Sequence, residues 1–87
     1  MTDRSHYQEM GQRIRTVRRA RGITQAQLGA CIDRHQSTII AMEHGRISIS
    51  PAHLGAICVA LDVSVTQLRS ADWRRLCNRG VSLGEAL

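Results

Sequence analysis

Phenylalanine and lysine are both missing from this 87-residue chain, so all 12 basic residues are arginine. Aromatic rings are reduced to Tyr7 and Trp73. Proteins that read RNA or single-stranded DNA stack bases on aromatic faces, and their scarcity argues against both. Acids are scarce too. With seven in total, the chain shows no paired-carboxylate site, no activated Cys–His constellation and no phosphate-cradling glycine loop, so no enzymatic activity is expected. Cys31, Cys58 and Cys77 share no C-x-x-C spacing, and each sits beside apolar residues. Buried free thiols in a reducing compartment are expected, rather than disulfides, metal ligands or redox sensors. His6, His35, His44 and His53 form no H-x-x-x-H pair, so neither a metal nor a cofactor is expected. A signal-peptide pattern and a long apolar run are also absent, which points to a cytoplasmic protein with no membrane partner.

What is present is basic and helical. The chain has room for one core, and a domain of this size buries only about 60% of the surface its unfolded chain exposes. Pairing with a second copy would add buried area. Net charge is +5, with a pI of about 10.5. Residues 1–46 hold eight arginines against Asp3, Glu9, Asp33 and Glu43; residues 47–87 hold four against Asp62, Asp72 and Glu85. A basic half facing a polyanion is the direct reading of that imbalance.

The apolar period is helical throughout. A first helix is expected after Ser5, with an inner seam of Met10, Ile14 and Val17, other faces carrying Arg13, Arg15, Arg19 and Arg21, and a stop at Gly22. Thr24 caps a second helix reaching about Ile32, and Asp33 follows as the turn residue. A third covers about His35 to Glu43, with Ile39 and Met42 inward and Gly45 at its end. Ser50 and Pro51 start a fourth, which buries Leu54, Ile57, Cys58 and Leu61. Ser64-Val65-Thr66-Gln67 has the form of a capping box and opens a fifth, anchored by Leu68. Asp72 then caps a further helical segment through Trp73, Leu76 and Cys77, ended by Gly80, before a tail at 82–87. The expected fold class is all-α: five helices as a domain over residues 5–69, with a short C-terminal helical extension over 70–87.

Helices two and three are short and joined by a tight turn, which is what a helix-turn-helix requires. Close approach of the pair demands a small residue, and Gly29 with Ala30 supplies it. A glycine inside a helix costs about 1 kcal/mol, so Gly29 points to a packing reason. The turn needs a left-handed residue, and Asp33 tolerates that conformation less well than glycine. The third helix locks Ile39 and Met42 inward and leaves His35, Gln36 and Ser37 outward.

The run R-x-x-R-x-x-R-G-I-T-Q-x-x-L-G-A at Arg15–Ala30 resembles the Cro and phage-repressor (Xre-like) helix-turn-helix family. So do S-T-I-I-A-M-E-H-G at Ser37–Gly45 and L-x-x-I-x-x-A-L-D-V-S at Leu54–Ser64. The resemblance spans about Met10 to Leu68 and rests on the ordered set of motifs. It implies a recognition helix in the major groove of double-stranded DNA, with His35, Gln36 and Ser37 meeting base edges and Ala41 one turn behind. Glutamine pairs bidentately with adenine, which favours Gln36 as the specificity residue, although a polar helix start also serves capping. Arg13, Gln25, Arg34, Thr38, Arg46 and Ser48 would meet phosphates, which position the protein without reading sequence. Gln25 would also abut the recognition helix. Arg18 and Glu43 would form a structural ion pair. Two positions depart from the family pattern. Asp33 stands where a turn glycine is usual, and Ile40 stands at a polar outward spot, either to touch a thymine methyl or to pack against a neighbour.

The resemblance therefore implies a transcriptional regulator binding a palindromic operator as a homodimer, of phage-repressor or restriction-modification controller type. The dimer surface is expected around Val59, Val65 and Leu68 or around Trp73 and Leu76, unless Trp73 belongs to the core. The alternative is an antitoxin that binds a toxin through residues from Arg69 onward and represses its own operon. A toxin or RNA polymerase would then be a protein partner.

Overall fold

In the computed structural model, residues 2–77 are described, with side chains from His6 onward, and every regular element among them is helical. α1 spans Thr2–Ala20, α2 Gln25–Cys31, α3 Gln36–Glu43, α4 Pro51–Leu61 and α5 Val65–Arg69. A turn over 71–74 leads into a helical stretch at 75–77. The all-α fold class read from the periodicity is the fold that forms. Gly80 and the tail at 82–87 lie outside the described residues.

Local chemistry sets the boundaries. Thr24, Ser50 and Ser64 each accept a hydrogen bond from the backbone N–H three residues on, and Gln27 and Gln67 return the bond to Thr24 and Ser64. Pro51 occupies the first position of α4, where a missing N–H costs nothing. Four helices stop alike, on a left-handed residue: Gly22, Asp33, Gly45 and Asp62, with φ between 57° and 72°. After each, the next N–H reaches back five residues, as Arg34 N does to Gly29 O and Arg46 N to Ala41 O. Two starts differ from expectation. α1 begins at Thr2, because Ser5 is followed and preceded by residues that tolerate a helix and no breaker separates them. α3 begins at Gln36, because His35 takes an extended backbone and caps the helix from outside it.

One core gathers Met10, Ile14 and Val17 of α1, Leu28 and Ile32, Ile39 and Met42, then Leu54, Ile57, Cys58, Leu61, Leu68 and Leu76. Leu68 and Leu76 are therefore interior, and neither supplies a surface for a second copy. Leu76 also ties the segment beyond residue 69 into the same core. Trp73 is partly buried against it. Cys58 is buried, but Cys31, the last residue of α2, is exposed, contrary to the expectation from its apolar neighbours. Val59 is 81% exposed on α4.

Candidate nucleic-acid interface

The candidate reading element is α3, and its two ends are built differently. At its far end α1 crosses without a side chain between the backbones. A Cβ on Gly11 would collide with the carbonyl oxygen of Met42 and reach 2.8 Å from that of Glu43. Above that contact, Arg18 Nε donates to Glu43 Oε2 at 2.6 Å and Nη2 to Oε1 at 3.2 Å. Both residues are buried, at 7% and 5% exposure. Arg18 Nη1 also donates to Ile23 O at 2.7 Å, and Gln25 Nε2 donates to Glu43 Oε1 at 3.1 Å. The carboxylate thus accepts on both oxygens, which is the condition under which a buried ion pair is tolerated. Gln25 abuts α3 through this bond, so its amide is turned toward Glu43.

The near end is fixed by the turn. A Cβ on Gly29 would stand 2.5 Å from the carbonyl oxygen of Arg34, so glycine is required where the chain doubles back. Behind it, Ile39 and Met42 are buried and hold the inner face of α3. In front of it, Arg34, His35, Gln36 and Ser37 are all exposed. His35 Nδ1 accepts from the backbone N–H of Ser37 at 3.0 Å and lies 2.9 Å from its hydroxyl. An imidazole in that role is neutral, with its proton on Nε2, which is the nitrogen left for another partner. The same residue thus caps the helix and presents a donor. Further along, Thr38, Ile40 and Ala41 are half-buried, while Arg46 and Ser48 in the loop after α3 are exposed.

The arginines of α1 divide sharply. Arg15 and Arg19 are exposed. Arg13 is engaged: Nη1 donates to Leu68 O at 2.9 Å and Ser70 O at 3.3 Å, and Nη2 pairs with Glu9 at 2.6 Å. Its guanidinium also lies 5.5 Å from the Trp73 ring centroid. Arg13 therefore carries a structural task, tying α1 to the carbonyls at the end of α5. Arg21 does the same elsewhere, donating to Leu61 O at 2.9 Å and Leu76 O at 2.6 Å. Sequence reasoning missed the roles of Gly11 and Arg21. A glycine inside α1 was the available signal for the first. The second depends on partners 40 and 55 residues away.

Among the described residues no group of three His, Cys, Asp or Glu side chains is placed to hold a metal ion, and no helix is long and apolar enough to cross a membrane. Two short helices, α2 and α3, packed across a tight turn with the start of α3 exposed, are the arrangement of a helix-turn-helix protein. The family model described as "Helix-turn-helix domain" matches residues 9–71, and the chain belongs to that family of DNA-binding domains. A comparison with curated proteins finds no match.

Proposed function

We propose that this protein is a sequence-specific transcriptional regulator of the Cro/phage-repressor (Xre-like) type, which binds a palindromic operator as a dimer with α3 in the major groove. The observation that carries the reading is the asymmetry of α3: its far end is buried and ion-paired, while His35, Gln36 and Ser37 at its start are exposed on a rigid turn. In this reading His35, Gln36 and Ser37 meet base edges, with Ala41 one turn behind. Arg34, Thr38, Arg46 and Ser48 border that surface as phosphate contacts, with Gln25 using whatever hydrogen-bonding capacity Glu43 leaves. Arg15 and Arg19, rather than Arg13, are the α1 arginines available to the backbone.

Selection of bound sequences from a random duplex pool tests the proposal in one step. The expected product is two half-sites about one helical turn apart, related by a two-fold axis. A single unpaired half-site would remove the dimer, and no enrichment at all would remove the function. Affinity for the recovered duplex should fall steeply with salt, because arginine–phosphate contacts release counterions.

A further inference from the structure

Arg34 stands at the junction of α2 and α3 with its backbone held from both sides. Its N–H donates to Gly29 O at 2.8 Å, and its carbonyl lies against the bare Cα of Gly29. Its side chain is held as well. Nε donates to His53 Nε2 at 3.1 Å, and Nη1 makes a longer contact of 3.4 Å with Asp33 O. His53 is half-buried in the first turn of α4, where its own N–H donates to Ser50 Oγ at 3.2 Å, so the acceptor is itself anchored. An imidazole accepting at Nε2 is neutral and keeps its proton on Nδ1. The guanidinium has five donors in a planar fork. Two are engaged here, and the donors that remain, on Nη1 and Nη2 of this exposed residue, suffice to grip a phosphate in bidentate fashion.

We propose that His53 is a positioning residue for DNA binding: it orders Arg34 in advance, so that the free edge of the guanidinium meets the phosphate flanking the bases approached from the start of α3. This rests on the DNA-binding reading above. His53 touches no DNA in this arrangement. Its contribution is that a side chain rich in rotamers is immobilised before association rather than during it. The bond also couples α4 to the reading end of α3, so the fourth helix acts on recognition without entering the groove.

The test uses the full chain and the duplex that the wild type recovers from a random pool. Arg34→Ala should lower the slope of log affinity against log salt by about 0.9, one phosphate's worth of counterion release. His53→Ala should weaken binding about fivefold, the usual worth of one hydrogen bond, with the slope unchanged. His53→Gln places an amide oxygen where Nε2 stands and should bind within about twofold of wild type. In the Arg34→Ala background, His53→Ala should have no further effect. If His53→Ala does not fold by thermal melting, His53→Leu keeps the volume, removes the acceptor and carries the same expectations. A His53→Ala protein that binds like wild type, or one that weakens binding equally with and without Arg34, would overturn the inference and leave DNA binding intact. Recovery of no duplex by the wild type would instead overturn the DNA-binding reading, and the inference with it.

Discussion

The two ends of α3 differ in everything but their helix. At the end beside α1, Glu43 is sealed under Arg18 and Gln25, and backbones meet across Gly11. At the end beside the turn, three consecutive side chains face solvent and the buried part is only backbone. In the proposed reading, the difference separates stability from recognition within eight residues. A change at one end should unfold the protein without altering which bases it prefers, and a change at the other should do the reverse.

The largest break in that comparison is Glu43→Ala. It leaves the Arg18 guanidinium buried without its partner, which costs about 3–5 kcal/mol. In a chain of this size that corresponds to a loss of at least ~12 °C in melting temperature. An unchanged melt would show that the pair carries no stability. Gln36→Ala lies next in size and works on the opposite quantity. The melting curve should stay in place, while discrimination at one base position falls by about 1–3 kcal/mol in a binding-site selection. A footprint and base preference identical to wild type would take Gln36 out of the reading surface.

Asp33→Gly sharpens the comparison from the turn between the two regions. Asp33 holds φ at 57°, where a side chain is strained and glycine is not. Stability should rise by about 0.5–1 kcal/mol, read as a higher melting temperature, because relief of strain outweighs the added freedom of the unfolded chain. The smallest effect concerns the thiols. Exposed Cys31 should react first with an alkylating reagent in the native protein and Cys58 last. Burial pushes the Cys58 thiol up, against a smaller downward pull from Arg69, so it stays protonated where an ordinary thiol begins to ionise. A folded state that holds its proton more tightly gains from it fully below the ordinary thiol range. That gain should be lost as pH rises into the alkaline range above it, seen as a falling melting temperature that Cys58→Ala makes flatter.

Much of this architecture is readable from short stretches of sequence. Ser50-Pro51, Ser64-Val65-Thr66-Gln67, Gly22 and Gly45 mark boundaries through neighbours within a few residues, and the structure forms those boundaries there. The α1 seam of Met10, Ile14 and Val17 follows from a 3.6-residue period alone. The candidate site was legible as a face, since a helix that must bury Ile39 and Met42 presents its first turn outward. What escaped was the destination of long side chains. Arg13 and Arg15 look alike in the sequence, yet Arg13 ends on the carbonyls of Leu68 and Ser70 while Arg15 remains exposed. Arginine reaches far, so its partner is chosen by tertiary packing and not by its neighbours. Cys31 was misplaced for a related reason: seven residues are too few for apolar neighbours to fix which side of α2 faces the core.

The four left-handed stops carry a consequence for how the chain reaches this structure. Each helix end is specified within about six residues by its own turn, and the starts of α2 to α5 are specified within three. The signals that set helix ends are then local, although helices this short persist only once they pack, and few long loops remain to close. Chains dominated by such local contacts fold on the microsecond-to-millisecond scale. Rapid mixing or temperature-jump relaxation should accordingly find a fast, single-exponential refolding phase, slowed when Gly22, where an added side chain meets nothing within 4 Å, is replaced by a residue that resists the left-handed turn.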